Sequence, residues 1–366
     1  MSGALIRGLI LALVALAGQD EFSGVERIVA VGDVHGDYEQ FVAVLRSAEL
    51  IDEQGKWSGG KTQLVQTGDL LDRGPDSRKA MDLLMRLEDE SKAAGGAVHA
   101  LIGNHEAMNV YGDLRYVSEG EYAAFRTPNS EKYRDLLFRE HEKELRASGV
   151  TQKLDEAYRK SWDAEHPLGW VEHRGEFGPA GKYGKWIRGH QAVIRIDATL
   201  FLHGGISPKY ADYGLRRLND QIRADLDDPK IGEKGVARDE QGPLWYRGLA
   251  QGDENALERG LETILKNYKV KRLVLGHTYT EGAIIPRFGG KVLLIDVGLC
   301  RLYDPALRKA CLVIEKGNPV ALHRGKRVEL PLDSRADLLR YYKQAAALDP
   351  LPSPLRGKIS ELESRK

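Results

Sequence analysis

Apolar residues along this chain come in short dense runs, most of them closed by a polar, glycine-bearing turn. "RIVAV" (27–31), "TQLVQT" (62–67), "AVHALI" (97–102), "AVIRIDATLFL" (192–202), "RLVL" (272–275), "VLLIDV" (292–297) and "CLVI" (311–314) have the content of strands. Between the early runs, apolar positions recur at helical spacing in "YEQFVAVLRSAEL" (38–50) and "SRKAMDLLMRLEDESKA" (77–93). Alternation of strand and helix in the first part argues an α/β fold. The later strands follow one another more closely, which predicts antiparallel pairs. A sheet packed on a sheet, with helices outside, suits both parts.

From Ala107 to about Trp186 the pattern changes to charged, helical stretches such as "SEKYRDLLFREHEKELRASG" and "QKLDEAYRKSWDAEH". This segment reads as a helical insertion (107–186) lying over one end of a domain spanning 18–330. Residues 331–366 carry one helical stretch, "SRADLLRYYKQAAAL" (334–348), then "DPLPSPLRG" and a polar end expected to be mobile.

The N-terminus, "MSGALIRGLILALVALAGQD", has one positive charge, an apolar stretch of eleven residues from Gly8 to Gly18, and small residues at Ala15 and Ala17. That stretch is too short for a hydrocarbon core, which needs about 20 residues. It reads as an export signal, residues 1–17, cleaved after Ala17, the alternative being a buried N-terminal helix. The expected location is therefore periplasmic or secreted, with no membrane span once the signal is gone. Lys plus Arg (54) balance Asp plus Glu (54), and losing Arg7 leaves a net charge of −1. No global field draws such a chain to nucleic acid or to an anionic membrane, so an anionic substrate must be held by local charges. Two cysteines, Cys300 and Cys311, make no disulfide framework and no C-x-x-C pair. A bridge between them is open in an oxidising compartment, and two buried free thiols are the other possibility.

The ends of the strands carry the chemistry. "GDVHGD" follows the first run and sets Asp33 and His35 two residues apart, on one face of an extended segment. Alone it is also compatible with a simple turn. "QTGDLLDRG" then supplies Asp69, Asp72 and Arg73, "LIGNHE" Asn104, His105 and Glu106, "LFLHGGIS" His203, and "LVLGHT" His277. Ligands in α/β sheets bind beyond the carboxyl ends of strands, so five such loops are expected to meet. Two Asp, three His and one Asn offer carboxylate, imidazole and amide oxygen but no thiolate. That set suits Mn, Fe or Zn better than a soft metal, and Mg less well. Six protein ligands are too many for one open catalytic ion and right for two. Two ions sharing a carboxylate and a water would ionise that water near neutral pH, giving a hydroxide nucleophile without a covalent intermediate.

The ordered set "GDVHG", "GDLLDRG", "GNHE", "HGG" and "GHT" resembles the calcineurin-like metallophosphoesterases, in particular the phosphoprotein phosphatase branch. "GNHEAMNVYGDLRYVS", "LFLHGGISP" and "GPLWYRG" look like the Shewanella-like and Rhizobiales-like bacterial phosphatases, over roughly residues 27–320. The resemblance implies a four-layer α/β/β/α sandwich and a two-metal phosphomonoesterase. It implies that Asp33 and His35 hold the first ion, Asp69 bridges both, and Asn104, His203 and His277 complete the second. His105 would protonate the leaving oxygen, oriented by Asp72; Arg73, Arg247 and Asn104 would bind phosphate. Arg247 rests on the short match "WYRG" and is otherwise a surface arginine. Substrates would be phosphoproteins or small phosphomonoesters, phosphotyrosine ahead of phosphoserine and phosphothreonine.

The remaining histidines read plainly. His99 is expected to be a packed or satisfied core residue, His141 and His166 solvated; His173, His190 and His323 show no partner in the sequence, and His190 is worth locating relative to the site. Glu106 is expected to anchor other groups rather than hold metal. Two rivals remain: a dinucleoside polyphosphate or nucleotide hydrolase, which shares the metal motifs, and a non-catalytic phosphate-binding protein, which the six intact positions argue against.

Overall fold

A computed structural model describes residues 19–149, 151, 153–228, 235–303, 308–331 and 334–364. The expected export signal lies outside the described residues. Among the described residues, no helix is long and apolar enough to cross a membrane.

Two mixed six-stranded sheets form the centre. One runs in the order β1 (Glu21–Phe22), β5 (Val193–Ile196), β6 (Thr199–Leu202), β7 (Arg272–Leu275), β9 (Val292–Leu294), β8 (Ile285–Arg287). The other runs β12 (Lys326–Glu329), β11 (Asn318–His323), β10 (Ala310–Glu315), β2 (Arg27–Val31), β3 (Gln63–Gln66), β4 (Ala97–Ala100). Strands β2, β3 and β4 are mutually parallel, as are β6, β7 and β9, so each sheet points one set of carboxyl ends the same way. Antiparallel pairs appear where strands follow closely, in β5–β6 and in β10–β11–β12. Buried residues of both sheets and of the helices outside them form one apolar core, giving the four-layer α/β/β/α sandwich.

The run 192–202 is two strands rather than one, because Asp197 turns the chain at φ 50°. The helices α1 (Tyr38–Ser47) and α2 (Ser77–Ala93) lie where the apolar spacing puts them, and Asp37 caps α1 by accepting from the Gln40 N–H. From Asn104 to Arg188 the described residues form helices joined by turns, with no strand: α3 (Asn104–Tyr111), α4 (Glu119–Ala124), α5 (Ser130–Ala147), α6 (Glu156–Glu165), α7 (Trp170–Phe177) and α8 (Lys182–Arg188). Two of their histidines, expected to be solvated, are partly buried and have partners. The His141 Nε2 meets the Tyr158 hydroxyl at 2.6 Å, and His166 stacks on Trp162 with ring centroids 4.0 Å apart. Arg134 pairs with Asp163 and Arg159 with Asp135 between α5 and α6, and beside them an aromatic seam of Phe138, Tyr158 and Trp162 takes the imidazoles in.

Helices α9 (Leu215–Asp227), α10 (Gly248–Gln251) and α11 (Glu254–Asn267) lie in the connection from β6 to β7 of the first sheet. The C-terminal end carries more structure than its polar composition suggests. After α12 (Arg335–Ala346), residues Arg356–Ser364 form α13, which lies against α12 through Lys343–Glu363 at 2.7 Å and buries Leu355 at its start. Cys300 and Cys311 are both buried and unbridged, and burial pushes the Cys311 thiol up to about 12.

Candidate metal centre and active site

The loops after β2, β3 and β4 face those after β6 and β7, and they bring together Asp33, His35, Asp69, Asp72, Asn104, His105, His203 and His277, all buried. Local backbone makes this possible. His35, Asp69, Asp72, Arg73 and His277 have φ between 46° and 69°, the left-handed region that non-glycine residues rarely visit. Gly68 allows the turn into Asp69 at φ 93°, and a Cβ on Gly276 would stand 2.6 Å from the Asp33 carboxylate.

Each loop is tied to another. The Val34 and His35 N–H groups donate to the Asp69 carbonyl at 2.9 and 3.0 Å, and the His277 N–H donates to Asp33 at 3.0 Å. Glu106 accepts from the Asp69, Leu70 and Gly103 N–H groups, each at 2.8 Å, so it anchors two loops from the first turn of α3. The His105 N–H, at that same helix N-terminus, donates to the Asp69 carboxylate at 3.0 Å.

The imidazoles reveal what the centre is built to hold. His203 Nδ1 lies 2.9 Å from the Thr67 carbonyl, His277 Nε2 3.1 Å from the Trp245 carbonyl, and His35 Nδ1 3.0 Å from the Leu71 carbonyl. A carbonyl only accepts, so those nitrogens carry the protons and the other nitrogen of each ring presents a lone pair. The His203 Nε2 lone pair then faces the His277 Nδ1 at 3.0 Å, the Asn104 Oδ1 at 2.9 Å and the Asp69 Oδ1 at 3.2 Å. Four acceptors facing one another have no proton to share. A cation fits there. On the other side of Asp69, its Oδ2 lies 3.7 Å from His35 Nε2, which is 3.9 Å from Asp33. Two groups able to hold an ion, His35–Asp69–His105 and Asp69–His203–His277, share the Asp69 carboxylate.

Electrostatics point the same way. Burial holds His35 down at about 3, assisted by the neighbouring His105, so the imidazole is neutral. Burial, then Asp296 and Asp69, raises the Asp33 carboxyl well above the carboxylate range. Asp296, at the end of the run after β9, is pushed up to about 6 by burial and by Asp69, against the Gly298 N–H that it accepts. Three buried carboxylates repelling one another are what a bound cation relieves.

His105 Nδ1 pairs with Asp72 Oδ2 at 2.6 Å, and Asp72 Oδ1 accepts from Asn109 at 2.8 Å. The Arg73 guanidinium stands between the Tyr116 and Tyr303 rings. Arg247 is an exposed residue whose Nη1 donates to the His277 carbonyl at 2.5 Å and to Thr278, which fixes it at the rim of the site. The other histidines lie elsewhere: His190 pairs with Glu88 at 3.0 Å, His323 with Asp349 at 2.8 Å, His99 with Gln63 at 3.0 Å, and His173 is enclosed by Tyr122, Phe125 and Phe177.

Sequence reasoning passed over Asp296, Asn109, Tyr116 and Tyr303. Asp296 carried the same signal as the others, an acidic residue closing an apolar run two positions before a glycine. Asn109 is one helical turn beyond His105, the spacing that returns a side chain to the same face. The two tyrosines gave no local signal.

Residues 26–281 match the family described as Calcineurin-like phosphoesterase. The chain belongs to that family. It is 33% identical over 318 residues to an uncharacterised protein of Schizosaccharomyces pombe, covering 83% of this chain and 82% of that one. It is 32% identical over 298 residues to Shewanella-like protein phosphatase 2 of Arabidopsis thaliana, covering 77% and 74%. Among solved structures, the cold-active protein-tyrosine phosphatase of a psychrophilic Shewanella superposes with a TM-score of 0.65 at 27% identity, over 86% of this chain and 83% of that one. The chain is thus a phosphoesterase-family hydrolase, and the Arabidopsis and Shewanella relatives carry the name phosphatase.

Proposed function

We propose that this enzyme hydrolyses phosphate monoesters of the phosphoprotein type at a pair of divalent ions, Mn, Fe or Zn, with phosphotyrosine favoured over phosphoserine and phosphothreonine. The observation that carries the reading is Asp69: one carboxylate faces His203 through Oδ1 at 3.2 Å and His35 through Oδ2 at 3.7 Å. Asp33, His35 and Asp69 would hold one ion, and Asp69, Asn104, His203 and His277 the other. When bound, such ions lower the pKa of water and neutralise phosphoryl charge. The chain's own groups do the rest. His105, charged through Asp72, delivers a proton from Nε2 to the leaving oxygen. Arg73 and Arg247 bring guanidinium donors to the phosphoryl oxygens, with the Asn104 amide beside them. The tyrosine preference is supported by the Shewanella neighbour's description as a protein-tyrosine phosphatase. Export through residues 1–17 belongs to the same proposal, and protein from the native host should then begin at Gly18.

A substrate panel with metal analysis tests the reading. The purified enzyme should carry two metal equivalents and cleave a phosphotyrosine peptide faster than a phosphoserine peptide or a dinucleoside polyphosphate. Fastest cleavage of the polyphosphate would instead make it a nucleotide hydrolase, and an inert, metal-free protein would overturn the assignment.

A further inference from the structure

Arg73 stands half-buried without the partner such a group usually has. Among the described residues no carboxylate pairs with it, and its buried Nε has no hydrogen-bond acceptor. Two aromatic rings hold it instead. Its Cζ lies 4.9 Å from the Tyr116 ring centroid and 5.4 Å from that of Tyr303. The stack continues on both sides. Tyr303 lies on Tyr279 with centroids 5.3 Å apart and planes within 19°, and Arg308 stands 5.0 Å over Tyr279 while donating to its hydroxyl. At the other end Arg115 stands 5.9 Å over Tyr116. Three arginines and three rings thus form one series, Arg115–Tyr116–Arg73–Tyr303–Tyr279–Arg308, with Arg73 between two of the rings.

A ring face attracts a cation through its quadrupole. The guanidinium donors lie in the guanidinium plane and are not consumed by that contact. A carboxylate partner would do the opposite, occupying two donors and cancelling the charge that a phosphate needs. The backbone adds a reason for external support. Arg73 has φ 68°, and its N–H donates to the Tyr116 carbonyl at 3.0 Å, so the arginine and one of its rings are anchored to each other.

We propose that Tyr116 and Tyr303 are positioning residues of the phosphate clamp: their rings fix the Arg73 guanidinium between two faces and leave its N–H donors free for phosphoryl oxygens. The inference rests on the reading above that Arg73 binds phosphate.

The test compares Tyr303→Leu, which removes the face, with Tyr303→Phe, which keeps it, each alone and combined with Arg73→Ala; the pair is repeated at Tyr116. The readouts are inhibition by inorganic phosphate and kcat/KM at unchanged metal content, together with the NMR order parameter of the Arg73 Nε–H group. Tyr303→Leu should weaken phosphate inhibition about three- to thirtyfold, the range expected for a cation–ring contact. Tyr303→Phe should stay near wild type, and Tyr303→Leu should add nothing in the Arg73→Ala background. Equal losses for Phe and Leu, or an undiminished loss without Arg73, would overturn the clamp. So would an Arg73 order parameter that does not fall in Tyr303→Leu. If that order parameter falls while Arg73→Ala leaves phosphate inhibition untouched, the clamp stands and the phosphate-binding role of Arg73 fails.

Discussion

Replacing Asp72 by Asn changes one heavy atom of the buried His105–Asp72 pair and tests whether His105 is the acid. In the wild type, burial opposes charging of His105, but Asp69 and the hydrogen-bonded Asp72 outweigh it and raise its pKa. Asp72 meets two donors, His105 Nδ1 at 2.6 Å and Asn109 Nδ2 at 2.8 Å. An asparagine has one oxygen for those two donors. Whichever way it flips, either His105 or Asn109 faces an NH2 group, and the charge that favoured imidazolium is gone. A hydrogen bond to a charged group contributes about 1.5–3 kcal/mol. At about 1.36 kcal/mol per unit, the His105 pKa should fall by roughly 1–2 units.

The sign follows from the role. The acid works while protonated, so a raised pKa extends activity upward in pH, and Asp72→Asn pulls that limit down. Below both pKa values the variant should keep its acid. Above the lower pKa, hydrolysis of an alkyl phosphate such as phosphoserine should fall progressively below wild type, reaching about 10- to 100-fold above both values, which is the pKa change expressed as protonated fraction. A nitrophenyl phosphate, whose leaving group departs as a stable anion, should lose far less. The assay is kcat/KM against pH for both substrates, with elemental analysis of each preparation. Equal losses on both substrates at unchanged metal content, or a descending limb that does not move, would refute the role of the His105–Asp72 pair.

Asp69→Asn should remove more bound metal than Asn104→Ala, because Asp69 is shared by both candidate ion-holding groups; elemental analysis that finds both ions retained in Asp69→Asn would defeat the bridging assignment. Glu106→Gln should lower stability by about 1–3 kcal/mol, because a buried carboxylate accepting three N–H groups gains an NH2 that faces one of them. Calorimetry checks this, and an unchanged Tm would mean that Glu106 is not the anchor its geometry suggests.

The parts of the fold that the sequence announced are those whose signal is local. β2, β7 and β10 are dense apolar runs, β3 has an apolar Leu64–Val65 centre, and α1 and α2 are strongly amphipathic. β11 was missed because "NPVALH" opens with Asn and Pro and is half exposed at its start, and β12 because "KRVE" buries only Val328. Their pairing is supplied by the neighbouring strand rather than by their own composition. The same division runs through the site. Asp33, His35, Asp69, Asn104, His203 and His277 each end an apolar run beside glycine, so the motif itself locates them. Tyr116 and Tyr303 come from loops far apart in the chain, and what they do exists only once both flank Arg73.

The glycine-flanked motifs have a physical origin that the structure makes explicit. Five site residues are held in the left-handed region, a conformation whose cost is about 1–3 kcal/mol each where the surroundings must enforce it. The enforcement comes from backbone hydrogen bonds between loops: Val34 and His35 to the Asp69 carbonyl, Gly36 to the Leu70 carbonyl, Gly74 to the His35 carbonyl. Such bonds need the two chains in close approach, and close approach excludes side chains. A Cβ on Gly36 would stand 2.6 Å from the Gly74 carbonyl oxygen, and one on Gly74 would stand 2.5 Å from that of His35. The glycines of "GDVHGD" and "GDLLDRG" are therefore not bystanders to the Asp and His between them. They let two loops lock together tightly enough to keep His35 and Asp69 in a backbone conformation they would otherwise leave, and that conformation turns both toward Asp33.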